Sequence, residues 1–306
     1  MESLVPATIG ASLAAGLETW ISSWLSTWLE LLRQSKVPIG GALFFVAVCT
    51  VIEQVFPAEV GQGFRGRLRN LVYLVLLQFF GLAALALWFL YGPALGHHAH
   101  TPSLFASVLL VAANLFTIDF AYYWYHRAQH SHPALWAIHE LHHADAELNA
   151  TSSFRTYWLE MPVQTVLVLA PSLTLFGDQG AVHALGMLVG SYAFLIFSHC
   201  NFRLSLGPLS SVVCGPQVHR IHHSRLPEHR DRNFAQYFPV LDRAFGTYHP
   251  PAPGEFPPTG AHGLSSEAPI ATALTRPFRI WTSRSGGEPN SPRARTSKSP
   301  RRRRHG

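Results

Sequence analysis

From Leu68 to Tyr91 the chain runs for 24 residues with a single charged side chain, Arg69, near its start. As a helix this stretch rises about 36 Å, enough to cross the roughly 30 Å hydrocarbon core of a bilayer. Two further stretches predict spanning helices: Val37–Phe56, whose one acid is Glu53, and Leu104 to about Tyr125. Pro162–Phe176 and Ala181–Ser198 flank the turn signal Gly177-Asp178-Gln179-Gly180 and predict a helical hairpin, its first arm short for a full crossing. Ahead of these, Leu13, Leu17, Trp20, Trp24, Leu25, Trp28, Leu29 and Leu32 recur at helical spacing. Three tryptophans on one stripe predict an N-terminal interfacial helix over residues 1–36. The fold expected is all-α, with multi-spanning membrane helices carrying a helical, histidine-rich cap.

Composition agrees with lipid contact. Charged residues make up 13% of the chain, about half the share usual in a soluble domain, and apolar residues 48%. The net charge of +6 belongs to one end. From Arg276 to Gly306 there are ten Lys/Arg against one acid, Glu288, leaving 13 against 16 elsewhere. No nucleic-acid partner is expected from so local an excess. Residues 283–306 are dominated by Arg, Ser, Pro and Gly, end in Arg301–Arg304, and are expected to form a disordered basic tail. Cys49, Cys200 and Cys214 are too scattered for a disulfide framework and are expected as free thiols. The start MESLVPATIG lacks a basic leader, so the spans themselves are expected to direct insertion. Residues 37–103 are assigned to membrane spans, 104–250 to the catalytic region and 251–282 to a loop-rich segment.

The loops predict an orientation. Arg65, Arg67 and Arg69 cluster at the start of the Leu68 span, whereas residues 92–103 contain no Lys or Arg. The positive-inside bias then puts residues 57–67 in the cytoplasm and 92–103 outside. The Leu104 span returns to the cytoplasm near Arg127, and the hairpin leaves from and comes back to that side.

Eighteen histidines are present, and their placement matters more than their number. His126 and His130 form HxxxH; His139, His142 and His143 form HxxHH; His219, His222 and His223 form HxxHH again. At this histidine frequency one HxxHH is expected by chance about 0.06 times. Residues three and four apart share a helix face, so each motif is expected to aim its imidazoles at one point. Neutral imidazole suits iron, zinc and copper, and eight such ligands are too many for one ion, so two metals are expected. The HxxxH pair ends a span, where a polar cluster is costly unless functional. His199 ends the returning hairpin at the same depth and is the ninth candidate; Asn201 beside it is placed to reach the site directly or through water. His132, out of phase with its neighbours, and His97, His98 and His100, in the opposite loop, are expected to play no part. His183, His229, His249, His262 and His305 read as isolated.

The stretches DFAYYWYHRAQHSHPALWAIHELHHADAELNATSSFR and VHRIHHSRLPEHRDRNFAQYFPVLDRAFGTY make Asp119–Tyr248 resemble the fatty acid hydroxylase (sterol desaturase) superfamily of integral membrane proteins. The resemblance implies an iron pair held by His126, His130, His139, His142, His143, His199, His219, His222 and His223. It implies hydroxylation or desaturation of a lipid (fatty acyl, alkyl or sterol-like) with O2 and electrons from a separate reductase system. Asp119, Asn149, Arg155 and Glu160 also fall at family-like positions and, with Asn201, are candidates for orienting the ligands. Two departures stand out: Arg203 occupies the place of a tenth histidine found in some members, and Gly215-Pro216 replaces a common Thr-Pro.

Rival readings are a membrane metal transporter, a zinc-dependent membrane hydrolase, and a lipid-binding protein that keeps the cluster for stability. A transporter needs ligands near the bilayer midplane, whereas these collect at one end. The hydrolase reading lacks HExxH spacing, since Glu140 is followed by Leu141, His142 and His143.

Overall fold

The computed structural model describes residues 5–34, 36–91, 103–177, 187 and 189–283. Ten helices are described: α1 (Val5–Gln34), α2 (Lys36–Val55), α3 (Phe64–Tyr91), α4 (Leu104–Ser131), α5 (Pro133–His143), α6 (160–176), α7 (189–199), α8 (Pro216–His222), α9 (Val240–Ala244) and α10 (Ile270–Thr282). The helix α6 widens into a π-turn at Thr165–Leu169, and α7 opens with one at Val189–Ala193. Among the described residues the only β pairing is two isolated bridges, Pro57 with Phe202 and Ser224 with Thr259. The all-α expectation holds.

Among the described residues two helices, Phe64–Leu87 within α3 and Leu104–Ser131, are long and apolar enough to cross a membrane. Only 22% of the most apolar window of each is buried inside the molecule. Phe79, Leu87, Phe105, Leu109 and Phe116 are among the large apolar side chains left uncovered, as lipid contact requires. The apolar stretches Ile39–Val55 and Glu160–Phe176 are shorter. The Gly177–Gly180 turn and the second hairpin arm lie partly outside the described residues, as do residues 92–102 with His97, His98 and His100, then His183, and the tail from residue 284 with His305.

The tryptophan stripe expected at an interface meets α3: Trp24 Nε1 donates to the Ala83 carbonyl at 3.3 Å and Trp28 Nε1 to the Phe79 carbonyl at 3.4 Å. The falling partner number shows that α1 runs antiparallel to α3. Helix α4 begins at Ser103, whose hydroxyl accepts from Ala106 N at 3.2 Å. It stops at His132 because Pro133 lacks an N–H to continue the ladder and instead starts α5 as its first residue. This break folds α5 back on α4, so that His126 and His130 face His139 and His143. His132 is exposed at the corner. Gly190 lets α7 approach α4, since a Cβ there would lie 2.9 Å from Leu115 Cδ1.

The 251–282 segment, expected to be loop-rich, ends in the 13-residue helix α10. Arg276 Nε donates to Glu140 at 2.6 Å and Trp281 Nε1 to the Ala134 carbonyl at 3.0 Å, seating α10 on α5.

Candidate metal centre

The eight histidines singled out by spacing, and His199 singled out by its depth at the end of the hairpin, converge on the end of α4. They divide into two groups: His126, His130, His139, His143 and His222 in one, and His142, His199, His219 and His223 in the other. None is more than 7% exposed. The division corrects the expectation that each motif aims at a single point. In α5 the i,i+4 pair His139 and His143 enters the first group while His142 turns to the second. In α8 and the residue that caps it, His219 and His223 enter the second group while His222 turns to the first. The two HxxHH motifs are thereby exchanged, each lending one ring to the other's group.

The rings are held from behind. The Nδ1 of His126 lies 2.8 Å from the Phe234 carbonyl, that of His222 2.8 Å from the Arg232 carbonyl, and that of His199 2.7 Å from the Leu195 carbonyl. His142 Nδ1 lies 3.3 Å from the Arg155 carbonyl, and His139 Nδ1 3.0 Å from Glu160 Oε1. Carbonyls and carboxylates only accept, so these Nδ1 atoms carry the proton and donate. The Nε2 of each of these five rings is then a bare lone pair, and the Nε2 atoms of the body face one another. His126 and His139 have Nε2 atoms 3.0 Å apart, His130 and His143 3.1 Å, His142 and His199 3.2 Å, and His199 and His219 3.0 Å. His222 Nε2 is buried with no partner among the described residues.

Facing lone pairs at such distances repel unless a cation lies between them. Ligands at right angles on an ion with bonds of about 2.1 Å are about 3.0 Å apart, so the donor set fits two metal ions. Burial, reinforced by the neighbouring imidazoles, holds His142, His143, His219 and His223 well below the ordinary 6.5. Burial likewise brings His222 down to about 3. The rings are therefore neutral, the form that binds metal.

Of the residues expected to orient ligands, Glu160 contacts a histidine by side chain, bridging His139 and Gln129, whose Nε2 donates to Oε1 at 2.8 Å. Arg155 does so by its backbone carbonyl, while its guanidinium donates to the carbonyls of Leu141 at 3.1 Å and Ser266 at 3.0 Å. Asp119 acts at one remove. Its carboxylate accepts from the backbone N of Gln236, Tyr237 and Phe238 at 2.7, 3.1 and 2.7 Å, fixing the strap whose Phe234 carbonyl holds His126. Asn149 and Asn201 touch no histidine. Asn149 caps the 3₁₀ turn Ala150–Phe154. Asn201 turns its amide to Glu59, accepting from the backbone N at 2.9 Å and donating to the carbonyl at 2.7 Å.

Sequence reasoning missed Glu53 and Asp242. Glu53 Oε1 accepts from Ala150 N at 2.8 Å and Asn201 N at 2.7 Å, and Oε2 pairs with Arg67 at 2.5 Å, all buried. Asp242 anchors the strap's other end, accepting from Phe234 N at 2.7 Å and Ala235 N at 3.0 Å. A lone acid inside an apolar stretch was the available signal for Glu53. His229 and His249, read as isolated, are not: their rings lie 4.9 Å apart beside Glu255. The cysteines are free and buried, and Cys200 Sγ points to the Ile196 carbonyl, away from the histidines.

Residues 110–247 match the profile of the fatty acid hydroxylase family. Among characterised proteins, the chain is 29% identical over 189 residues to the ornithine lipid hydroxylase OlsE of Rhizobium tropici, covering 61% of this chain and 56% of that protein. It is 31% identical over 166 residues to human alkylglycerol monooxygenase, covering 54% and 36%. It is 31% identical over 139 residues to a rice very-long-chain aldehyde decarbonylase, GL1-6, covering 42% and 21%. The chain thus spans little more than half the length of these relatives at most. No solved structure matches significantly.

Proposed function

We propose, from the match of residues 110–247 to the fatty acid hydroxylase family, that the protein is a membrane di-iron oxygenase that hydroxylates or desaturates a lipid C–H bond. The observation that carries the proposal is the pair of buried imidazole groups with their lone pairs turned inward. A metal transporter would string its ligands along a path, whereas these nine rings form one closed body at the end of α4. The relatives named for hydroxylating ornithine lipid and oxygenating alkylglycerol support a polar-headed lipid with a fatty acyl, alkyl or sterol-like body.

The iron pair would be held by His126, His130, His139, His143 and His222 on one side and by His142, His199, His219 and His223 on the other. It supplies the redox chemistry with O2 that no side chain offers. The protein's share is to fix the rings and exclude water. Glu160, the Phe234 and Arg232 carbonyls and the Arg155 carbonyl lock the tautomers of His139, His126, His222 and His142, leaving the Nε2 of each free. Trp136, centred 5.1 Å from His130 and 5.4 Å from His143, and Phe234, centred 5.1 Å from His130, close the first group with aromatic surface. Electrons are assigned to a separate reductase system, and the cluster to the cytoplasmic side on the arginine bias around Leu68.

Lipid extracts from cells expressing the protein under 18O2 test the activity. Hydroxylation adds one heavy oxygen to a lipid class, and desaturation removes two hydrogens. An unchanged lipid profile from iron-loaded protein with a working reductase contradicts the proposal. Sidedness is tested separately with Glu228→Cys, at an exposed position near the cluster. An impermeant maleimide should label it only after the membrane is opened.

A further inference from the structure

Beyond the nine-histidine body lies a third group of donors. His229 Nε2 lies 3.0 Å from Glu255 Oε1, and the His249 ring stands 4.9 Å from that of His229 at an angle of 66°. One donor atom from each of the three falls within 4.8 Å of the others, against about 3.4 Å in a closed tetrahedral site. His229 is 2% exposed, whereas His249 and Glu255 are only partly covered, so the group opens to solvent on one side.

Each donor is positioned by its own tie. Ser224 Oγ sits 3.0 Å from His229 Nδ1, leaving Nε2 directed at Glu255. Ala252 N donates to Glu255 Oε2 at 2.7 Å, leaving Oε1 directed inward. His249 is pinned by its backbone to Asn233, donating to Oδ1 at 2.7 Å and accepting from Nδ2 at 3.1 Å. A simple His229–Glu255 ion pair would not call for the second imidazole.

We propose that His229, His249 and Glu255 bind a third metal ion, a divalent cation of the zinc class, distinct from the catalytic pair. Two imidazole nitrogens and one carboxylate oxygen suit zinc, whereas calcium and magnesium take all-oxygen sets. The ion would bridge the 3₁₀ turn Pro227–His229 to the 249–255 loop. That loop is already tied to α8, because Gln217 Nε2 donates to the carbonyls of Ala252 and Glu255, both at 3.0 Å. Gly260 N donates to the His223 carbonyl at 3.2 Å, so the same segment closes over the last histidine box. The third ion is thus a clamp on the segment that follows His222 and His223, and it requires no particular reaction at the catalytic pair.

The test is zinc binding to the full-length protein in detergent, by equilibrium dialysis against Zn2+ with element analysis of all bound metals. Wild type should bind one zinc ion beyond the two metals of the histidine body. The double variant His249→Gln/Glu255→Gln, altered only at partly exposed side chains, should bind that ion at least 100-fold more weakly and keep the other two. Wild type that binds no ion beyond two overturns the proposal, and so does a third ion retained in the double variant. Should the double variant fail to purify, His249→Gln alone is decisive by the same readout.

Discussion

His142 and His143 are adjacent in the chain, yet their Nε2 atoms serve different groups: His142 lies 3.2 Å from His199, and His143 lies 3.1 Å from His130. Neighbouring residues on a helix point about 100° apart, so His142 and His143 reach different groups from one helix. His142→Ala removes one of four donors, and His143→Ala one of five. The expected outcome is a larger loss of metal in His142→Ala, toward one ion per chain, than in His143→Ala. Element analysis of the purified variants checks it; the reverse order would mean the division is misassigned.

Glu160 acts on the centre only through His139, apart from its amide partners Gln129 and Gln164. Glu160→Gln keeps the shape but offers a weaker acceptor to the His139 Nδ1 proton. Metal affinity should fall roughly 10- to 100-fold, the usual effect of losing a ligand's outer partner. Competition with a chelator of known affinity measures it, and unchanged retention would make Glu160 a packing residue only.

Glu53 joins α2 to Ala150, Asn201 and Arg67 through buried contacts. Glu53→Ala strands two backbone N–H groups and a buried guanidinium, at a cost of about 3–5 kcal/mol. The variant should unfold at distinctly lower temperature in detergent than wild type, whereas Glu18→Ala, on exposed α1 surface, should not.

Glu53 also marks the limit of what the sequence reveals. Long apolar stretches and histidine spacing were enough to anticipate helices and to select eight of the nine converging histidines, because both signals are local; His199 was selected by its depth at the end of the predicted hairpin. The exchange of His142 and His222 between groups was hidden, since it depends on how α5 and α8 cross. The backbone partners of Glu53 lie 97 and 148 residues away, and those of Asp119 more than 100, so local sequence marks the acids at most and never their partners. His229 and His249 were read as isolated, and Glu255 drew no notice, for the same reason: six to twenty-six residues apart, the three meet only through the folded 224–260 segment.

The neutral imidazoles impose a pH dependence on the metal-free protein. In the folded chain His222 titrates at about 3, below its ordinary 6.5, chiefly because of burial. Between these values the unfolded chain binds protons that the folded chain refuses, so stability falls as pH drops. His142, His143, His219 and His223 are shifted the same way. Melting temperature of chelator-treated protein should be level above about pH 7 and fall progressively below about pH 6.5. A melting temperature that holds steady or rises down to pH 5 would contradict neutral, buried rings.

The central claim is that the nine histidines hold two iron ions, and the most direct measurement is element-resolved metal content per chain. Protein expressed with ample iron and purified without chelator should carry two irons, with any zinc at His229, His249 and Glu255 counted separately. The variant His126→Ala/His199→Ala, which removes one donor from each group, should lose most of that iron while still purifying as a folded protein. Wild type carrying no iron, or the double variant retaining both irons, would contradict the account.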